Sequence, residues 1–224
     1  MKTRENSFSD ISNNRTNTES SDSLLNAFVV KDGIQITQSR PSNDPVKAAI
    51  INLMEINSPL GPMMAGTTSE GVCLLEFTTR TRLEKEFSDL QKMLHAVMRP
   101  GRNQYSDQLE KELKEYFEGT RKTFSVPLHT PGNEFSLSVW KTLQNIPYGK
   151  TWSYKEQAEM MHNPKAIRAI ASTNGRNRLA IIIPCHRVIG SDGSMTGYAA
   201  GVERKKWLLN FERSNTETPA GCLF

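Results

Sequence analysis

The sequence predicts an α/β protein: a small N-terminal sheet-plus-helix domain followed by a mostly helical C-terminal domain with a helix-turn-helix. Three observations lead there. Short apolar runs alternate around a turn-rich stretch between residues 48 and 77, the signature of a meander. Two segments with apolar residues at helical spacing follow it. Further along, two short helical segments carry their own start and stop signals and are separated only by a tight turn.

Residues 1–23 contain 13 Ser, Thr and Asn residues, and Phe8 and Ile11 are the only sizeable apolar side chains after Met1. Such a segment cannot bury enough surface to offset its ordering entropy, so disorder is expected. Residues 24–45 read as a linker with a short strand at 27–30. Together these form a tail and linker over 1–45. Residues 48–55, 63–66 and 71–77 are expected strands around Asn57-Ser58-Pro59-Leu60-Gly61-Pro62. Leu83, Phe87, Leu90 and Leu94 then mark a helix over 81–95, and Leu109, Leu113, Tyr116 and Phe117 mark one over 106–119. These elements make an N-terminal α/β structural domain over 46–125.

The second domain is expected over 126–213, with a polar tail at 214–224. Phe135, Val139, Trp140, Leu143 and Ile146 form an apolar stripe on a helix over 134–145, ended by Pro147-Tyr148-Gly149. Ser153-Tyr154-Lys155-Glu156 has the form of a capping box, with Ser at the N-cap and Glu three residues on. Asn163-Pro164 starts another helix, with Asn as N-cap and Pro at the first helical position, and Gly175 ends it. The pair reads as a helix-turn-helix. The apolar run 179–183 reads as a buried strand that delivers Pro184, Cys185, His186 and Arg187. A glycine-punctuated loop over 191–201 follows. A final helix over 202–213 should bury Trp207, Leu208 and Phe211 and leave Arg204, Lys205 and Lys206 outside.

A chain of 224 residues suits one large or two small domains. No apolar run approaches the roughly 18 residues that would span a bilayer, and the polar N-terminus lacks the order of a secretory signal. No membrane association and a cytoplasmic location, nuclear in a eukaryote, are therefore expected. Cys73, Cys185 and Cys222 are too few and scattered for a disulfide framework, and the four histidines make no ligand spacing with them. A reducing compartment suits a reactive thiol. Charge is uneven: 12 Lys and Arg face 6 Asp and Glu between Thr130 and Arg213, leaving 16 against 18 elsewhere. A basic surplus on the cysteine-bearing half suits a polyanionic partner, because neutralised phosphates release counterions.

The chemistry centres on Cys185. The thiolate is the nucleophile, and a thiol in apolar surroundings stays protonated unless a base or positive charge assists it. His186 and Arg187 are adjacent. A core cysteine with outward-turned polar neighbours is the other reading of the same residues.

Pro184-Cys185-His186-Arg187-Val188 resembles the active-site signature of the O6-alkylguanine-DNA alkyltransferases, also called methylated-DNA–protein-cysteine methyltransferases. The resemblance covers about residues 60–213. It implies that Cys185 accepts the alkyl group of O6-alkylguanine, and of O4-methylthymine, once per molecule and without cofactor. It also implies that Glu212 orients His186, that His186 acts on Cys185 through a water, that Tyr154 assists the leaving guanine and that Asn177 braces the turn between helix and active site. Asn163-Pro164-Lys165-Ala166-Ile167-Arg168-Ala169 is close to the family's DNA-binding pattern. Arg168 then fills the gap left by an extruded nucleotide, and Lys165, Ala166 and Ala169 lie against DNA. Val188, Tyr198 and Ala199 match positions that hold the flipped guanine. Ala180 stands where eukaryotic relatives often carry a proline that packs against bulky substituents. The expected partner is double-stranded DNA containing O6-alkylguanine, and the expected state is a monomer. Some family members bind zinc in the N-terminal domain, but only Cys73, His95 and His129 are available there, so no metal is expected.

Two other functions use the same residues. A Cys-His-Glu hydrolase needs an oxyanion hole and water access, which the sequence does not identify. A non-enzymatic base-flipping protein of the alkyltransferase-like type lacks the reactive cysteine, which is in place here. Regulators of the Ada type add a zinc-bound cysteine domain, and residues 1–45 carry no cysteine.

Overall fold

In the computed structural model, which describes residues 48–195 and 197–217, the alternating segments form β1 (Ala49–Ile56), β2 (Met63–Thr67) and β3 (Val72–Phe77). They pair antiparallel, with Leu53 opposite Gly66 and Ala65 opposite Leu75. Ser58 closes the first turn: its Oγ donates to the Gly61 carbonyl at 2.6 Å and accepts from the Leu60 amide. Gly71, at φ 151°, has to be glycine, because a Cβ there would lie 2.4 Å from the Pro127 carbonyl oxygen. That same carbonyl accepts from the Val72 amide.

Helix α1 (Leu83–Leu94) buries Leu83, Phe87 and Leu90. Its chain then returns as β4 (Ala96–Pro100), parallel to β1, completing a sheet in the order β3-β2-β1-β4. The sequence reading contains no strand here. Five residues ending in Arg-Pro show little alternation, and proline is tolerated only because β4 is an edge. Helix α2 (Gln104–Phe117) starts at Asn103, whose side chain accepts from the Tyr105 and Ser106 amides, and it buries Leu109, Leu113 and Tyr116.

The C-terminal half opens with α3 (Glu134–Leu143), burying Val139, Trp140 and Leu143. After β5 (Trp152–Ser153), helix α4 (Tyr154–Met160) begins with the expected capping box: Ser153 Oγ accepts from the Glu156 amide at 3.1 Å, and Glu156 Oε2 accepts from the Ser153 amide at 2.6 Å. The next start differs from expectation. Asn163 makes no side-chain cap bond; Pro164–Ala166 forms a 3-10 turn, and α5 (Ile167–Asn174) begins beyond it. Proline fixes the entry angle by itself, so the turn forms without the cap. Gly175 ends the helix in the right-handed conformation.

The apolar run 179–183 is buried, as expected, but it is a turn instead of a strand. It touches β3 through two backbone bonds of 2.8 Å, from Leu75 N to Arg178 O and from Ala180 N to Leu75 O. Ile181 then adopts φ 72°, and the Ile183 amide returns to the Leu179 carbonyl at 2.9 Å. A run without polar residues establishes burial on all sides but carries no period that separates strand from turn. A β-branched residue at positive φ is costly and is held only by its surroundings.

The chain continues through a 3-10 turn at Cys185–Arg187 into β6 (Val188–Ile189), which pairs parallel with β5, Trp152 opposite Val188. The last helix, α6 (Val202–Glu217), runs beyond Arg213. Lys205 on it is fully buried, contrary to expectation, and its Nζ donates to the Val188 carbonyl at 2.6 Å. The apolar stem packs inside while the ammonium finds an acceptor. Trp207 and Phe211 are only half-buried and stack on each other with centroids 4.9 Å apart. Phe77, Leu113 and Tyr116 from the first half share one core with Leu143, Ile170 and Leu208 from the second.

The tail at 1–23, the linker with its strand at 27–30, Cys222 and Thr196 lie outside the described residues. Among the described residues no helix is long and apolar enough to cross a membrane, and no group of three His, Cys, Asp or Glu side chains could hold a metal.

Candidate active site

Asn177, just past α5, organises the turn that carries Cys185. Its Oδ1 accepts from the Leu179 amide at 2.9 Å. Its Nδ2 donates to the Ile183 carbonyl at 2.8 Å and lies 3.2 Å from Cys185 Sγ. One buried amide therefore fixes both the turn and the sulfur. Burial pushes the Cys185 thiol up to about 11, against the opposing effect of the Asn177 bond. Burial therefore opposes the thiolate, and the sulfur needs a base to react.

His186 and Glu212 are both fully buried, with Nε2 of the imidazole 2.9 Å from Oε1 of the carboxylate. Burial holds His186 below its ordinary range. The carboxylate collects donors from four residues on three segments: Tyr116 Oη at 2.7 Å, the Gly149 amide at 3.0 Å, and Arg187 Nε and Nη2 at 2.9 and 3.0 Å, besides His186. Burial opposes its charge, yet the bonds from His186 and Arg187 hold it well below the usual carboxylate range. Because Glu212 is an anion, Nε2 carries the proton and Nδ1 is the basic nitrogen. Nδ1 is buried and bonded to no protein atom.

Arg187, expected to lend positive charge to the thiol, is aimed instead at Glu212 and at the Ile146 carbonyl, 2.7 Å away. Gly149, at φ 72°, allows the close approach of α6, since a Cβ there would meet Thr216 Cγ2 at 2.8 Å. The sequence places Tyr116 on an apolar helix face, Gly149 in a turn and Lys205 outside, and none of them beside Glu212 or Val188. Their roles depend on contacts between distant segments, and no local pattern signals them.

Cys185 lies at a cleft of about 480 Å³ lined by Tyr154, Gly175, Gly197, Tyr198 and Ala199, with Arg80, Thr81 and Arg82 from the first half. The cleft thus brings together Cys185, Tyr154, Tyr198 and Ala199 from the expected set. The Tyr198 hydroxyl is buried without a protein partner, and burial raises its pKa well above the ordinary value. Val188 and Ala180 are not among the lining residues. Val188 sits in β6 behind the turn, and Ala180 is docked on β3. Lys165, Arg168 and Ala169 are exposed on the 3-10 turn and α5, with Ala166 half-buried beside them. Ala171 and Asn174, further along that helix, reach the cleft.

A soft nucleophile at a cleft floor, a neutral imidazole held by a buried carboxylate and a phenol in the cleft wall together suit displacement at carbon. The description "6-O-methylguanine DNA methyltransferase, DNA binding domain" belongs to the family model that matches residues 134–214. The chain is 39% identical to a methylated-DNA–protein-cysteine methyltransferase of Methanosarcina barkeri, over 71% of this chain and 96% of that relative. It is 40% identical to the protein of the same name from Mycobacterium bovis, over 74% of this chain and 94% of that one. The crystal structure of Mycobacterium tuberculosis OGT in complex with DNA superposes with a TM-score of 0.63 at 36% identity, covering 76% of this chain and 96% of that structure.

Proposed function

Since the chain belongs to the family of methylated-DNA–protein-cysteine methyltransferases, we propose that it repairs DNA by moving the alkyl group of O6-alkylguanine, and of O4-methylthymine, irreversibly to its own Cys185. The observation that carries this reading is the position of the Cys185 sulfur, at the cleft and 3.2 Å from the Asn177 amide, with the His186–Glu212 pair beginning at the next residue. Duplex DNA is the partner. The protein acts as a monomer, with residues 126–213 carrying DNA binding and chemistry and residues 46–125 supporting them.

The reaction is one displacement. His186 takes the Cys185 proton through a water, and Glu212 stabilises the imidazolium that results. The sulfur attacks the carbon attached to O6; the S–C bond forms as the C–O bond breaks, and the electron pair leaves with guanine. Tyr154 donates its proton to the departing base, where charge develops; the phenolate regains a proton from solvent as the imidazolium of His186 releases one. The product is a thioether. No metal or organic cofactor takes part.

A stacked base cannot reach Cys185, so the nucleotide must be flipped out, at a cost reduced by weakened pairing at the lesion. Arg168, exposed on α5, fills the space it leaves, beside Lys165, Ala166 and Ala169. Tyr198 and Ala199 hold the flipped base in the cleft, with Val188 and Ala180 supporting the turn behind it. The test is to incubate the protein with a duplex containing O6-methylguanine and map the added methyl by peptide mass. The methyl is expected on the peptide containing Cys185, and a methyl elsewhere or none at all would reject the reading.

A further inference from the structure

A buried cluster of charges joins the first half of the chain to the turn that carries Cys185. Arg80, whose side chain is 2% exposed, lies in the turn just after β3 and pairs with Glu76 on that strand. Its Nη2 is 3.5 Å from Glu86 Oε1 on α1, and Glu86 Oε2 in turn accepts from Arg178 Nε at 2.6 Å. Two carboxylates and two guanidinium groups are thus neutralised in the interior. Such clusters are weak contributors to stability, because desolvation consumes most of the Coulomb gain. Their geometric effect is clearer here.

Arg80 Nη1 donates to the Asn177 carbonyl at 3.1 Å, and Nη2 donates to the Gly175 carbonyl at 3.0 Å. These carbonyls lie just past the end of α5, where a cation is favoured. Arg80 also lines the cleft next to Cys185. On the other side of the same segment, the Arg178 carbonyl is held by the Leu75 amide at 2.8 Å. Asn177 is therefore clamped on its backbone while its side-chain amide holds the sulfur.

We infer that Arg80 is a positioning residue for the reaction: by holding the Gly175 and Asn177 carbonyls it fixes the Asn177 amide that donates to Cys185 Sγ. The inference rests on the reading of Cys185 as the alkyl acceptor. A lysine has one ammonium on a flexible stem and cannot reproduce the planar fork that bonds two carbonyls and two carboxylates together. Small misplacement of a reacting atom is enough to slow a displacement severely.

The test uses the full chain with Cys73→Ser and Cys222→Ser, comparing it with Arg80→Lys and with Glu76→Gln/Arg80→Met, which removes the charges as a pair. Three quantities are read: the single-turnover methyl-transfer rate at saturating methylated duplex, the duplex affinity, and the rate at which iodoacetamide modifies Cys185. In that last reaction the thiolate displaces iodide and the thiol proton goes to solvent. Arg80→Lys should slow saturating transfer by about threefold and the paired variant by about tenfold or more. Affinity should stay within about twofold, since the DNA-facing side chains are untouched. Iodoacetamide modification should slow in the same order, because the Asn177 bond favours the thiolate.

Arg80→Lys at the full rate would overturn the inference, and so would a loss of rate that follows duplex affinity or the folded fraction. If the paired variant does not fold, Arg80→Lys decides alone. If the unsubstituted protein transfers no methyl, the functional reading has failed, and the iodoacetamide rates still decide the role of Arg80.

Discussion

His186 turns Nε2 toward Glu212 Oε1 at 2.9 Å and keeps Nδ1 buried without a protein partner. The carboxylate thereby selects the tautomer and leaves the other nitrogen basic. It also means that the fold depends on His186 being neutral at rest, since burial holds the imidazole below its ordinary range.

That dependence has a sign. An unfolded histidine titrates at about 6.5, so the advantage of a neutral His186 is complete above that pH and is lost as pH falls through the lowered folded value. Glu212 acts in the same direction at more acid pH, being held below the carboxylate range. Glu76, pushed up to about 7 by burial, has the opposite sign: its contribution is complete below the ordinary carboxylate value and is lost as pH rises through about 7. Because both proteins keep Glu76, the difference between wild type and His186→Gln isolates the histidine. Denaturant melts at pH 7.5 and 5.5 should show the wild type losing more stability on acidification, up to about 1.4 kcal/mol per pH unit. Parallel losses would refute the assignment.

Arg168→Ala should slow repair in duplex DNA by about tenfold or more, because only the flipped state loses its support. The rate on free O6-methylguanine should be unchanged, since Arg168 is not among the residues lining the cleft. Equal losses on both substrates would remove the proposed role.

Several parts of this arrangement were legible in the chain. Ser153 and Glu156 gave the start of α4 through spacing alone, and the residues from Pro184 to Val188 led to Cys185, His186 and their partners through resemblance. Other features depend on distant contacts. The Glu212 carboxylate gathers Tyr116, Gly149 and Arg187, and Arg80 reaches a carbonyl 97 residues away. Lys205 looks like part of an exposed basic triplet until Val188 supplies its acceptor. The run at 179–183 announced burial but not direction.

Ala180 gives a prediction in which the structure refines the expectation from sequence. Its amide donates to the Leu75 carbonyl at 2.8 Å, so Ala180→Pro should destabilise the protein by about 1–3 kcal/mol through an unsatisfied buried acceptor. Ala180 does not line the cleft, but without a proline at this position the turn that carries Cys185 lacks the ring that packs against bulky substituents in eukaryotic relatives, so the protein should react poorly with free O6-benzylguanine relative to O6-methylguanine in DNA. Denaturant melts and competing-substrate rates test the two statements separately; comparable rates on both substrates would show that the residue at 180 does not limit bulky groups.

A methyl on Cys185 should also be felt by the fold. The sulfur faces the cleft but is also held by the Asn177 amide at 3.2 Å; a methyl that disturbs this bond should cost about 1 kcal/mol, so the reacted protein should melt at a lower temperature than the unreacted one. An unchanged melting temperature would mean that the cleft accommodates the adduct without strain.

The central claim is a single irreversible transfer to one sulfur. A thioether offers water no activated carbonyl, so His186 and Glu212 cannot regenerate the thiol. Cys73 cannot substitute for it: burial pushes its thiol up to about 12, and its Sγ donates to the Gly66 carbonyl inside the sheet. The direct measurement is intact mass after reaction with excess duplex containing O6-methylguanine, on the wild type, Cys185→Ser, Cys73→Ser and Cys222→Ser. One methyl per molecule is predicted on all but Cys185→Ser, which should carry none. More than one equivalent of demethylated duplex per protein, or a methyl on Cys185→Ser, would contradict the account.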